Sequence, residues 1–240
     1  MIKNNETISI GWIDNQITEG GFTFGLLETV ISSFFSGRPI NGIFRIPGSS
    51  ISRQRQLLID KWISSKFSTD WMLLIDSDMY LEKKHFDKLI MYADKEKNPI
   101  ITGLCFALKI DENNVDKKYP EPCIYTGDFK KDGLVFPVCS FPTDSLIEVD
   151  YAGLALTLLH RSVIEKIYKK YPNVSLFKEN NNHKELSIGE DINFFQLVKD
   201  VGIKLSCHTG VNPKHIKKIE IDLDYVLNSN FGKIIEQNDV

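Results

Sequence analysis

The chain has 240 residues, 42% of them hydrophobic and 25% charged, with a formal net charge of -3 and a pI near 6.0. That length favours one large domain, and that balance excludes a disordered chain. The slight acidity gives no bulk drive toward nucleic acid, no apolar run approaches the ~20 residues that span a bilayer, and Met1 to Glu6 hold no apolar signal core, so a soluble protein without a membrane partner is expected.

Ile8 to Ile13 reads as a strand. Phe22 to Phe35 reads as a helix, with Phe22, Leu26, Leu27, Val30 and Phe34 at helical spacing, broken by Gly37-Arg38-Pro39. Gly42 to Ile46 is a second strand. Ser50 or Ser52 caps the next helix, which runs to about Phe67. Trp71 to Ile75 is continuously apolar, as a strand buried on both faces must be. Leu81 to Ala93 is a helix and Ile100 to Leu108 a strand. Residues 109 to 147, with Pro120, Pro122, Pro137 and Pro142, interrupt the alternation as loops and short hairpins. The rhythm returns with a strand over Leu154 to Leu159. A helix follows, opened by the capping box Ser162 to Glu165 and closed before Pro172. After an Asn-rich loop from Glu179 to Lys184, Asp191 to Val201 forms a helix with Gly202 as a left-handed cap. Ile203 to Cys207 is the last strand. The alternation predicts a single α/β, Rossmann-like domain with a mostly parallel central sheet. Cys105, Cys123, Cys139 and Cys207 form no C-x-x-C pair, which suits reduced thiols and a cytoplasmic location.

The strongest local feature is Asp76-Ser77-Asp78, directly after the buried strand. Ligands bind beyond the carboxyl ends of strands in an open α/β sheet, so this pair lies where chemistry is expected. Two close carboxylates repel unless a cation joins them, and a divalent ion, Mn²⁺ or Mg²⁺, is the simplest one; it would in turn grip a diphosphate. A solvated turn has the same sequence. Glu190 and Asp191 open a helix, where acids meet the helix dipole; a general base is the other reading. His215, in a loop after the last strand, gains meaning only if the fold brings it to Asp76-Ser77-Asp78. Arg55, like Arg53, is either helix surface or a partner for donor phosphates. Gly11-Trp12-Ile13, at the end of the first strand, could frame a nucleotide base, and Trp12 could equally belong to the core.

In order and spacing, five segments resemble the glycosyltransferase A fold, and within it family-2-like transferases, including small phage-encoded ones. They are Ser52 to Gln56, Leu74 to Met79, Val149 to Arg161, Gly189 to Phe194, and His215. Where that family has Arg-Asn in the helix before the carboxylate pair, this chain has Arg55-Gln56. The resemblance implies a transferase that takes a nucleotide-sugar donor, UDP-linked, with Mn²⁺ or Mg²⁺. It implies Asp78 and His215 as metal ligands, with Asp76 and Ser77 toward the donor. It also implies Gly153 close to the donor sugar and Asp191, beside Glu190, as the base. Residues 1–108 would form the donor half. Residues 109–240 would hold the acceptor side, the base helix and the metal-ligand loop. The acceptor would be a hydroxyl of a DNA base, a glycan or a protein. A phage origin would place the enzyme in the host cytoplasm. An approach to an extruded DNA base would use Lys117, Lys118, Tyr119, Tyr125, Phe129, Lys130, Lys131 and the loop near Asn180 to Asn182.

Two other classes share these residues. Haloacid-dehalogenase-like phosphatases also follow an apolar strand with D-x-D, the first Asp being the nucleophile. They expect Thr or Val where this chain has Tyr80, and the motif near the N-terminus. A non-catalytic nucleotide- or glycan-binding module is the third reading; Asp76, Asp78, Asp191 and His215 together argue against it.

Overall fold

A computed structural model describes residues 2, 5–38, 40–66, 68–111, 114–178 and 189–217, with backbone alone at 110, 111 and 114–117. In chain order the elements are β1 (Ile8–Asp14), α1 (Gly20–Phe35), β2 (Ile40–Pro47), α2 (Ile51–Ser64), β3 (Trp71–Ile75), β4 (Met79–Tyr80), α3 (Lys83–Tyr92) and β5 (Ile100–Gly103). Then come β6 (Phe106–Asp111), β7 (Asn114–Pro122), β8 (Ile124–Thr126), α4 (Phe129–Asp132), β9 (Phe136–Pro137), β10 (Leu146–Val149) and β11 (Tyr151–Ala152). The described chain closes with β12 (Leu156–His160), α5 (Arg161–Lys170), α6 (Glu190–Asp200), β13 (Leu205–His208) and β14 (Lys214–His215).

Side chains alternate across a strand, so a strand apolar at every position must bury both faces. β3 does so. Met72 and Leu74 join Leu58, Ile59 and Trp62 of α2 and Phe194 and Phe195 of α6 on one face. Trp71, Leu73 and Ile75 join Phe22 of α1 and Phe86 and Leu89 of α3 on the other. The seven-stranded sheet has the order β10-β13-β5-β12-β3-β1-β2. β1, β2, β3, β5 and β13 run in one direction; β12 and β10 oppose them. The mostly parallel α/β sheet expected from the alternation is present.

Four local expectations change. The strand expected over Ile100 to Leu108 divides, because Leu104 N donates to Val211 O at 2.7 Å and the chain leaves the sheet for the β6–β7 hairpin. The Ser162 to Glu165 capping box does not form. The α5 cap is His160, whose Nδ1 accepts from Ser162 N, while Glu165 pairs with Arg161. Of the stripe expected on α1, Phe22 is buried but Leu27 and Phe34 are 55% and 68% exposed. The buried line is Phe22, Gly25, Thr29 and Ser33, since small residues let the helix approach its neighbours closely. The helix expected to reach Phe67 ends at Ser64. Gly202 does take the left-handed conformation after α6, at φ +73°. The cysteines are free, and no described helix is long and apolar enough to cross a membrane. The Asn-rich loop lies outside the described residues.

Candidate active site

β2 and β3 flank β1 on opposite sides, so the strand order reverses at β1. The loops leaving the carboxyl ends of these strands diverge, which opens a cleft at this switch point. The cleft has a volume of about 500 Å³ and is walled by Ile13, Asp14 and Asn15, by Gly48 and Ser49, by Gln54 and Arg55, and by Asp76, Ser77 and Asp78. β12 runs antiparallel to β3 with Leu156 opposite Ile75, so the turn before β12 lies against the carboxylate pair. Asp76 N donates to Ala155 O at 3.0 Å there.

Beneath the cleft lies Arg55, its side chain only 8% exposed. One guanidinium serves three carboxylates, one just past the end of β3 and two at the start of α6. Nη2 donates to both oxygens of Asp76, at 3.1 and 3.3 Å, and Nη1 donates to Glu190 and to Asp191. This is the fork geometry for which arginine is suited. Burial opposes the charge on Arg55, but the fields of Asp191, Asp76 and Glu190 overcome it and raise the guanidinium further. Three acids around one cation leave the cluster short of positive charge. The Asp191 carboxyl feels this most. Burial pushes it up, Arg55 pulls it back, Glu190 and Asp76 push again, and it titrates at about 7. A carboxylate at that value is matched to proton abstraction near neutral pH. Asp191 Oδ2 also accepts from Leu154 N at 3.2 Å, and a Cβ on Gly153 would lie 3.8 Å from the same oxygen. Gly153 N donates to Cys123 O at 2.8 Å, and a Cβ on Gly153 would meet Cys123 Cβ at 3.2 Å, so this turn packs closely against both the acid and the bend between β7 and β8.

Asp78 faces a different set of partners. The segment Lys214 to Lys217 is strapped to the turn that carries it. His215 is opposite Met79 in the β14–β4 pair, and Ile216 N donates to Asp78 O at 2.8 Å. His215 Nε2 reaches Asp78 Oδ2 at 2.9 Å, and Lys217 Nζ reaches the same oxygen at 2.7 Å. Burial would raise the Asp78 carboxyl, but the hydrogen bonds from His215 and Lys217 win and hold it at about 2. The bond to Asp78 raises the imidazole in turn. His215 Nδ1 lies 2.7 Å from Phe106 O, which can only accept, so Nδ1 carries a proton. In the neutral ring Nε2 is then the lone-pair nitrogen, the one a metal requires. A carboxylate and an imidazole nitrogen facing each other fit a divalent ion whose other positions are filled by phosphate oxygens and water. Among the described residues, no group of three or more His, Cys, Asp or Glu side chains is arranged to hold a metal alone.

The fold thus brings together Arg55, Asp76, Asp191 and Glu190, with Gly153 against them, and separately Asp78 with His215. Ser77 and Ile13 line the same cleft. Gly11 and Trp12 lie deeper, in a narrow crevice below it. A Cβ on Gly11 would come within 2.8 Å of Met72 Sδ and 3.1 Å of Leu58 Cδ1, so this glycine lets α2 seat on the sheet. Trp12 stacks obliquely on Phe22 with centroids 5.6 Å apart, and its Nε1 donates to Asp14 at 3.0 Å. Sequence reasoning missed Asp14, Gln54 and Lys217. The Asp14 side chain is fully buried and bound by Arg45 through Nε at 2.6 Å and Nη2 at 2.9 Å. Gln54 Nε2 donates to Asp14 O and Ile46 O, tying the ends of β1 and β2 together. The position of Asp14 and Gly48 just past parallel strands was the available signal. Gln56, where the family has Asn, braces α2: its Oε1 accepts from Leu176 N at 2.7 Å and its Nε2 donates to Tyr168.

No family model matches the sequence, and no curated protein is significantly similar to it. Solved structures are similar in shape. The structure of GalNAc-T7 with UDP, GalNAc and Mn²⁺ matches 90% of this chain at TM-score 0.53 and 11% identity; the match spans 44% of that longer chain. A197 from STIV matches at TM-score 0.45 and 14% identity, over 90% of this chain and 98% of that one. A glycosyltransferase involved in glycosylation of the major capsid of PBCV-1 matches at 0.44 and 12%, over 85% and 82%. The sheet order, the cleft at the switch point and the match to GalNAc-T7 give this chain a fold of the glycosyltransferase A type.

Proposed function

We propose that the protein is a metal-dependent glycosyltransferase that moves a sugar from a nucleotide-sugar donor, UDP-linked, to an acceptor hydroxyl. The observation that carries this reading is the division of labour at Asp76-Ser77-Asp78. One carboxylate is bound with Asp191 through Arg55, the other faces His215, and both open on one cleft. In the reaction, Asp191 takes the proton from the acceptor hydroxyl, whose oxygen forms the new bond to the sugar's anomeric carbon. The bond from that carbon to the diphosphate oxygen breaks, and the electron pair leaves with the nucleoside diphosphate. A divalent ion, Mn²⁺ or Mg²⁺, held by Asp78 and His215 would supply Lewis-acid stabilisation of the leaving diphosphate. Asp76, fixed by Arg55, is positioned to orient the donor's hydroxyls, and Glu190 to assist at the acceptor side. Arg55 on both oxygens of Asp76 tells against that carboxylate as a free nucleophile, and so against phosphatase chemistry. UDP and Mn²⁺ in the GalNAc-T7 structure support the donor and metal assignments.

The test is direct. With the fold intact, Asp78→Ala and His215→Ala should each weaken Mn²⁺-dependent UDP binding by about tenfold or more, as loss of a metal ligand or its orienting partner does. Unchanged binding in both variants sinks the metal assignment. Donor hydrolysis by the wild type separates an enzyme from a binding module.

Residues 1–108 form the donor half in this reading, and 109–147 the acceptor flank. Tyr119 is exposed, while Lys130 is paired with Asp200 at 2.5 Å and Tyr125 is half-buried opposite Tyr151 in the β8–β11 pair. Acceptors carrying a hydroxyl on a DNA base, a glycan or a protein fit this flank equally. Replacing Lys117, Lys118, Lys130 and Lys131 by Gln should spare donor hydrolysis and lower transfer to the true acceptor. Equal loss of both activities would place the segment in the donor site or the core.

A further inference from the structure

We infer that Lys217 is a built-in competitor for the divalent ion, and that a nucleoside diphosphate relieves the competition. This rests on the assignment of Asp78 and His215 to the metal. Three observations place Lys217 in that role. Its ammonium is 2.7 Å from Asp78 Oδ2, the oxygen that His215 Nε2 also meets. It is held there by the backbone, because Ile216 N bonds to Asp78 O and β14 pairs with β4. And its side chain is 45% exposed beside a cleft large enough for a nucleotide, so it has room to leave.

Like charges this close in partly desolvated surroundings repel strongly, so the ammonium and a dication cannot share one carboxylate oxygen without cost. In the free protein the lysine satisfies Asp78 and disfavours the metal. An incoming diphosphate offers the ammonium new oxygens, so it can leave Asp78 without losing a charged partner. Metal and nucleoside diphosphate therefore bind with positive coupling, each favouring the other by the same factor. Lys217 is a positioning residue in this scheme, and its effect appears in binding before any turnover.

The experiment measures Mn²⁺ binding directly, by the electron paramagnetic resonance of free Mn²⁺, with and without UDP. It compares the wild type with Lys217→Met, Lys217→Arg and Asp78→Asn. Lys217→Met should bind Mn²⁺ alone about tenfold more tightly than the wild type, and UDP should enhance that binding by a smaller factor. Lys217→Arg keeps the cation and should behave as the wild type. If Lys217→Met binds Mn²⁺ alone no more tightly than the wild type while Asp78→Asn abolishes binding, the competition is refuted and the metal site stands. If Asp78→Asn leaves Mn²⁺ binding unchanged, the metal site itself is wrong and the inference falls with it. Circular dichroism on each variant confirms that these differences arise in folded protein.

Discussion

Asp76 and Asp78 are separated by one residue and are similarly exposed, at 30% and 34% of their side chains, yet their surroundings are opposite. Asp76 shares one buried guanidinium with two other acids. Asp78 has an imidazole and an ammonium to itself. The first cluster is short of positive charge and sits on α2, α6 and the end of β3. The second is rich in it and hangs on a two-residue strand pair. The contrast assigns each its chemistry. A charge-poor, fixed cluster raises a carboxylate toward the range of a base. A charge-rich one, whose cations can be exchanged, keeps its carboxylate ionised for a ligand to take over.

The largest effect should come from breaking the fixed cluster. Arg55→Met leaves three acids uncompensated in a largely buried place, so it should cost about 3 kcal/mol or more of stability in urea unfolding, as loss of one partner of a buried ion pair does. Arg55→Lys should recover little, since a point charge cannot serve three carboxylates as a planar fork can. A loss below about 1 kcal/mol would mean that the cluster is solvated as a surface network is. Next comes the base. Asp191→Asn keeps the side chain's size and should bind UDP and Mn²⁺ nearly normally while losing about a hundredfold or more in turnover. Wild-type-like transfer would move the role to Glu190 or to a mechanism without an enzymic base.

The smallest effect sharpens the comparison through pH. The base acts deprotonated, and Asp191 titrates at about 7. Turnover should therefore be full above that value and fall by about tenfold per unit as pH drops below it. Mn²⁺-dependent UDP binding should also weaken as pH falls, but on a curve of its own, because Asp78 stays ionised while His215, raised by that carboxylate, must give up its proton to take the metal. A binding curve that shifts in Asp191→Asn would show that the two clusters are one titrating unit.

Much of the scaffold was legible in the sequence, for a physical reason. β3 is apolar at every position, and only a central strand covered on both faces can bury such a run. The acids directly after it were thereby placed at the carboxyl edge. What escaped were features set by which side chain reaches which partner, near or far along the chain. His160 displaced the capping box because its own ring reached Ser162. The stripe on α1 divided because Gly25, Thr29 and Ser33 permit a closer approach than the larger residues beside them. The sequence offers Arg55 as helix surface or as a partner for donor phosphates; the folded chain buries it among three carboxylates, from β3's end and α6.

The sequence by itself determined the alternation, the fold class and the residues worth watching, because periodicity and turn chemistry act over a few residues. Only the tertiary structure decided who pairs with whom. Asp76 meets Asp191 through Arg55 across 21 and 136 positions, and Asp78 meets Lys217 across 139. Electrostatic partnership falls off with distance in space and is indifferent to distance along the chain, so the character of each carboxylate existed only once the sheet had brought its strand ends together.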